Sequence, residues 1–304
     1  MRVVSVINYK GGVGKTTLTA NLGAELAWRG HRVLLVDLDP QASLTFSLVQ
    51  PDYWTTNLEH DKTIKAWYDA TLSGSTAELA SLAFTPGAVN KALAGKQKPS
   101  LDLIPSHLGL INVDLELATG LAGSSMKQAK LNYMRVHRRL VEGLAHPDFA
   151  SYDVILIDCP PNFNIVTKTA IVASGHILIP AKADYLSTLG IDYLKRSLDE
   201  LVSDYNEYAS LDGATPAINP QILGVVFTMI QIYAGQPVSA ARPYIAQANA
   251  LDIPVFKAYL RENKTLFAGA AEEGVPVVLR GDDYRGIRKE LEVFVDEFVK
   301  KLGL

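Results

Sequence analysis

The sequence predicts an α/β protein, built on a mostly parallel, twisted sheet with helices on both faces. Three observations carry this. Short apolar runs alternate with helical patterns along the whole chain. Runs such as Val154-Ile155-Leu156-Ile157 are apolar at every position, as strands covered on both faces must be. A glycine-rich turn joins the first run to the first helical pattern, where open α/β sheets bind their ligands.

Residues 3–7 form the first expected strand. A helix follows over 16–28, closed by Gly30, and a second strand over 32–36. The stretch 50–100 is the least regular, with Trp54 and Trp67 among Thr, Ser and Ala, and reads as a helical insertion. A third strand is expected at 101–104, then amphipathic helices at 108–121 and 128–144. The strand at 154–157 is bounded by Pro160-Pro161, and the next, at 177–179, is ended by Pro180. Leu194, Leu198, Leu201, Val202 and Tyr205 share one helical face. A strand at 222–227, a helix near 240–250, a last core strand at 254–259 and a terminal helix at about 283–302 complete the pattern. No repeat, low-complexity tract or linker rich in Pro, Gly or Ser interrupts it, so residues 1–304 read as a single domain.

Composition narrows the function. The 304 residues are 48% hydrophobic and 20% charged, enough for a large core and against wholesale disorder. Net charge is −3, so any nucleic-acid binding must use a local patch. The single cysteine, Cys159, excludes a disulfide framework and a cysteine-ligated cluster within one chain, and reads as a small buried residue. No apolar run approaches ~18 residues, and the N-terminus reads as a strand rather than a signal peptide. A soluble, cytoplasmic protein is expected. The six histidines show no metal-binding spacing.

The strongest motif is Lys10-Gly11-Gly12-Val13-Gly14-Lys15-Thr16-Thr17, a phosphate loop between strand and helix. Glycines let backbone N–H groups turn toward an anion, and the helix N-terminus adds its dipole. Lys15 is expected on the β- and γ-phosphates, the Thr16 hydroxyl on Mg²⁺, and Thr17 near the α-phosphate. The loop departs from the usual GxxxxGK[ST] pattern: Tyr9 stands at the first glycine, and a second lysine, Lys10, opens the loop. A second motif, Asp37-Leu38-Asp39-Pro40-Gln41, puts two carboxylates at the end of a strand, suited to holding metal-bound waters and orienting an attacking one. Asp39-Pro40 also suits a helix N-cap followed by Pro at the first helical position. A third, ending Ile157-Asp158, looks like a Walker B strand with Asp158 on a water of the Mg²⁺ shell.

With its two-lysine loop the sequence resembles the ParA family, P-loop ATPases of the deviant Walker A class. The run Asp158-Cys159-Pro160-Pro161 and the segments 176–180 and 186–190 support the resemblance over most of the chain. It implies an ATP- and Mg²⁺-dependent homodimer that sandwiches two nucleotides, with Lys10 acting on the partner's nucleotide. It implies that Asp39 positions the hydrolytic water, that Asp37 supports the metal, and that Pro161 and Asn162 respond to the γ-phosphate. Adenine is expected between the loops after the strands at 222–227 and 254–259, beside Thr228, Met229, Leu260 and Arg261. The family's usual output is non-specific binding of double-stranded DNA, slow hydrolysis stimulated by a ParB-like adaptor, and segregation or positioning of a cargo on the nucleoid. Lys195, Arg196, Arg242, Lys257 and Lys264 are the candidate DNA contacts. Two other outputs occur on this fold, a MinD-like membrane-cycling regulator and an amidoligase. The last eleven residues sum to zero charge, which speaks against a basic membrane tail.

Overall fold

The computed structural model describes residues 1–94, 100–212, 215–234, 236–281 and 286–304. Its main sheet is built from Arg2–Val6 (β1), Arg32–Asp37 (β2), Ser100–Ile104 (β3), Val154–Asp158 (β4), His176–Lys182 (β5), Gln221–Ile230 (β6) and Val255–Arg261 (β9). Ile232–Tyr233 (β7) and Gln236–Pro237 (β8) pair separately as an antiparallel ribbon. The order β3-β2-β4-β1-β5-β6-β9 is parallel throughout. The chain runs outward from β1 in both directions, so the C-terminal end of β1 lies at the topological switch point.

Strand residues alternate between two cores. Leu34, Val36, Ile155, Ile157, Ile177 and Ile179 point to one face, and Val33, Leu35, Val154, Leu156 and Leu178 to the other. Lys15–Trp28 (α1) and the terminal helix Ile287–Leu302 (α13) cover the second face. The short helices Ser43–Phe46 (α2), Pro51–Asn57 (α3) and Gly87–Leu93 (α5) also contribute there. Ile64–Leu72 (α4), Leu110–Thr119 (α6), Met126–His137 (α7), Arg139–Leu144 (α8), Ile165–Ala173 (α9) and Tyr185–Asp212 (α10) gather on the first face, with Arg242–Asn249 (α11) beyond them. Lys264–Glu273 (α12) follows β9.

The described part of the 50–100 stretch carries α3, α4 and α5, and it wraps an edge of the sheet. Trp54 enters the core of one face, Trp67 that of the other, and Phe84 bridges Leu103 outside β3. The opposite edge is covered by α13: Glu297 accepts the Lys257 and Ala258 N–H groups (2.9 and 3.1 Å), and Glu290 accepts that of Arg261 (3.1 Å). Both edges are thus blunted against further pairing.

Two expectations change. Pro180 does not end its strand, because β5 continues to Lys182 alongside β6. The Pro180 carbonyl accepts from the Asn8 side chain (2.7 Å), on the side where β1 has already stopped, so the missing proline N–H interrupts no ladder. The single helix expected at 128–144 is two, parted at Arg138. There the His137 ring bonds back to the Tyr133 carbonyl (2.8 Å), in competition with the helix ladder, and α7 packs on both α9 and α10 while α8 packs on α9. The ribbon β7–β8 and helix α12 carry no sequence expectation at all. The expected start of the terminal helix at 283 lies outside the described residues, but Leu291, Phe294, Phe298 and Leu302 are buried as the pattern requires.

Candidate nucleotide site

From the end of β1 the chain turns through residues 7–14 into α1. Gly12 and Gly14 have left-handed backbones, φ +68° and +80°, where a Cβ would be strained. Gly14 is the N-cap of α1 and brings no side chain, so nothing in the residue competes for the first N–H groups of the helix. Asn8 braces the turn: its Oδ1 accepts the Lys10 N–H (2.9 Å) while its amide holds Pro180.

Lys15 is buried, and its ammonium donates to the carbonyls of Asn8 (3.3 Å) and Lys10 (3.4 Å). Burial lowers its pKa from the usual lysine range, while Asp158 and Asp39 pull it back. Thr16 donates to Asp158 Oδ2 (2.7 Å), and Thr19 reaches Asp158 Oδ1 (3.4 Å). Burial raises the Asp158 carboxyl above the ordinary carboxylate range despite those bonds. Asp37 is raised as well, by burial first and by Asp158 next. Both Asp37 oxygens are engaged by the chain: Oδ2 takes the Thr45 N–H (2.8 Å) and hydroxyl (2.7 Å), and Oδ1 takes the Asp39 N–H (3.1 Å). Asp39 Oδ1 accepts the Gln41 N–H (3.0 Å) in a local turn, and it caps no helix, because α2 begins only at Ser43 with Ala42 as its N-cap.

Two adjoining cavities meet over the loop. One is bounded by Gly11, Gly12, Lys15, Thr16, Asp39 and Pro161. The other, mostly apolar, lies among Thr228, Met229, Leu260, Arg261, Asn263 and Phe267. Gly14, Thr17, Met229 and Phe267 belong to both. This is the form of a nucleotide site, with an anion cradle beside a pocket for a flat apolar base. The hard oxygens of Thr16 and Asp39 in the cradle wall suit Mg²⁺, with Asp158 buried behind Thr16 rather than in the lining. Among the described residues no group of three His, Cys, Asp or Glu is placed to hold a metal ion.

Most expected residues therefore converge. Val13 is buried beneath the loop, its carbonyl held by the Thr228 hydroxyl (2.7 Å). Asp37 lies under the cradle rather than in its lining, so its geometry is that of a brace for Asp39. Lys10 lines neither cavity, because its ammonium is paired with Asp184 (2.8 Å) at the start of α10. Arg261 borders the base pocket and is ion-paired with Glu290 of α13. Sequence reasoning missed Asp184, Asn263 and Phe267. Asn263 caps α12 by accepting the Leu266 N–H (3.1 Å), and an Asn before a helical pattern was the signal available.

The candidate DNA contacts do not form one patch on one chain. Lys195 donates to the Leu251 carbonyl (3.3 Å) and Arg196 pairs with Asp192 (2.7 Å), both on α10. Arg242 begins α11, which packs against α10, and bonds the Pro237 carbonyl (3.1 Å). Lys257 projects from the β9 edge, across the sheet order. Lys264 borders the base pocket, paired with Glu262 (3.4 Å), so its position serves the nucleotide site at least as well as DNA.

Fold and loop together define a P-loop nucleotide-binding protein of the two-lysine class. The family model described as "AAA domain" matches residues 1–211. Two uncharacterised proteins of Mycobacterium tuberculosis are 30% identical over 213 residues, 70% of this chain, and the match spans 56% of their length. The sporulation initiation inhibitor protein Soj of Bacillus subtilis is 26% identical over 97% of this chain and 96% of its own. The chromosome partitioning protein ParA of Caulobacter vibrioides is 28% identical over 70% of this chain and 68% of its own. Among solved structures, apo McdA of Cyanothece superposes with a TM-score of 0.69 at 24% identity, over 98% of this chain and 99% of that one, a likeness of fold. Cobyrinic acid a,c-diamide synthase of Mycobacterium smegmatis with bound ADP and magnesium gives 0.60 at 25% identity, over 90% and 91%. The chain belongs to the AAA-domain family and, within it, is similar to the ParA and Soj proteins.

Proposed function

We propose that this ATPase is a DNA-gated partition switch that works as a dimer closed over two nucleotides. The observation that carries the reading is the position of Lys10. It opens the phosphate loop, yet it lines neither cavity of its own chain, and its ammonium stands at the start of α10. A second subunit's phosphates are the partner such a lysine can serve.

Within one chain the loop N–H groups bind the ATP phosphates, and Lys15 turns from the Asn8 and Lys10 carbonyls onto the β- and γ-oxygens. Thr16 and Asp158 would hold Mg²⁺, which neutralises charge on the β- and γ-phosphates when bound. Asp39, at the cradle wall, orients the water that attacks in line, and ATP and water become ADP and phosphate. Asp37 keeps the Asp39 turn in place. Met229, Leu260 and Arg261 bound the adenine.

The ATP dimer binds double-stranded DNA without sequence preference. A cargo-bound adaptor, ParB-like in role, stimulates slow hydrolysis, and release followed by delayed rebinding segregates or positions the cargo. This places the protein in the cytoplasm, on the nucleoid. Basic residues doubled by the dimer axis, Lys195, Arg196 and Arg242 first among them, supply the phosphate contacts. The membrane-cycling alternative gains no support, because the apolar face of α13, the helix that would carry an amphipathic tail, is buried in the core. The test is a gel shift with Mg²⁺–ATP, Mg²⁺–ADP and no nucleotide at two salt concentrations. Binding with ATP alone, weakened steeply by salt, is the expected result. No binding in any state would overturn the DNA-gated reading.

A further inference from the structure

Tyr9 occupies the position at which a phosphate loop usually has its first glycine, and the ATPase chemistry above makes no use of it. Its side chain leaves the loop and reaches α10. The hydroxyl donates to Ser197 Oγ (2.9 Å), and the ring packs on Tyr193 of the same helix (centroids 5.5 Å apart) and on Phe163 (5.7 Å). Phe163 lies two residues beyond Pro161, whose side chain borders Gly11 of the loop. The next residue, Lys10, holds Asp184. Two consecutive loop residues thus grip α10 at points thirteen residues apart, about 20 Å along its axis.

The peptide that carries Tyr9 is also the one that phosphate must disturb. Lys15 donates to the Asn8 and Lys10 carbonyls, one on each side of Tyr9. A phosphate that draws the Lys15 ammonium away removes both bonds at once. Tyr9 is then held in the loop by the Asn8 side chain without Lys15, so its position can shift, while its hydroxyl and ring remain attached to α10.

From this geometry we infer that Tyr9 is a positioning residue that passes the occupancy of the phosphate loop to the middle of α10. That stretch of helix carries Lys195 and Arg196 beside Ser197. The consequence for DNA affinity rests on the function proposed above. The movement of α10 does not.

The test separates the two. Hydrogen–deuterium exchange across residues 193–201 is followed with and without Mg²⁺ and a non-hydrolysable ATP analogue, in the wild type, Tyr9→Phe, Ser197→Ala and Ser197→Thr. Tyr9→Phe keeps the ring, Ser197→Ala favours the helix, and Ser197→Thr keeps a hydroxyl. The nucleotide-dependent change in exchange should fall about fivefold in Tyr9→Phe and Ser197→Ala, the worth of one side-chain hydrogen bond, and survive in Ser197→Thr. Affinity for the analogue should stay within about twofold of wild type in all three, because none of the bonds removed touches either cavity. An equal response in every protein, or none in the wild type, overturns the relay. A wild type that shows the α10 response but never binds DNA overturns the proposed function and leaves the relay standing.

Discussion

Asp37 and Asp158 are register partners at the C-terminal ends of β2 and β4, and both are fully buried. Burial and mutual repulsion raise the pKa of Asp37, and burial raises that of Asp158. Two carboxylates so placed cost stability in the free protein, a cost that a cation in the cradle would offset. Asp158→Asn should therefore raise the stability of the nucleotide-free protein at pH 8 by about 1–3 kcal/mol. The same change should remove most of the extra thermal stability that Mg²⁺ adds to ATP. Melting curves with ATP, with and without Mg²⁺, decide it. An undiminished Mg²⁺ effect would remove Asp158 from the metal shell.

Lys10→Ala should separate stability from assembly. Its partially exposed pair with Asp184 is worth about 0–1 kcal/mol, so the melting temperature should hardly move. The ATP-dependent dimer should be lost, as read by light scattering. A variant that dimerises normally would place Lys10 outside the partner's site.

Asp39→Ala should leave ATP binding within a few-fold and slow turnover by about 10²-fold or more, the range for a lost group that manages a proton or a water. The loss of its bond to the Gln41 N–H should lower stability by about 1 kcal/mol. The dimer should then accumulate with ATP unhydrolysed. Full turnover would assign the water to another residue.

Met229 stands between the two cavities with a left-handed backbone, φ +54°, unusual for a side chain of its size. Met229→Gly relieves that conformation but removes apolar surface from the base pocket. Stability should change by less than about 1 kcal/mol, while the Kd for ATP rises about five- to tenfold. An unchanged Kd by calorimetry would place the base elsewhere.

His137 provides a pH test away from the nucleotide. Its ring is buried against Tyr133, and burial lowers its pKa to about 4, with the Tyr133 carbonyl opposing and Lys168 reinforcing the shift. Below the unfolded value of about 6.5 the unfolded chain takes up a proton that the folded chain refuses, so stability falls with pH, by about 2 kcal/mol at pH 5. His137→Phe keeps a ring against Tyr133 and should flatten the pH 7 to pH 5 difference in denaturant midpoint. An unaltered slope would assign it to other groups.

The parallel sheet was legible because strands buried on both faces must be apolar throughout, and Val33–Val36 and Val154–Ile157 are. The cradle was legible because phosphate binding restricts residue type within a few consecutive positions: Gly12 and Gly14 for their backbone, Lys15 for charge, Thr16 for its hydroxyl. Local sequence also misled. Pro180 reads as a strand end because a proline lacks an N–H, and only the early stop of β1 makes that lack harmless. The periodicity of 128–144 reads as one helix, since a ring bonding back at His137 leaves no trace in hydrophobic spacing.

The sequence by itself determined the fold class, the loop and the carboxylates at the strand ends, because each depends on residue type over short spans. Tertiary structure alone decided which distant groups answer them. Lys10 meets Asp184, and Tyr9 meets Ser197, across more than 170 residues of chain. Asp37 became a brace when Thr45 took its oxygens, and the 50–100 insertion became a cover for the β3 edge. Such pairings depend on how strands are ordered and helices packed, and no spacing along the chain encodes a distance across it.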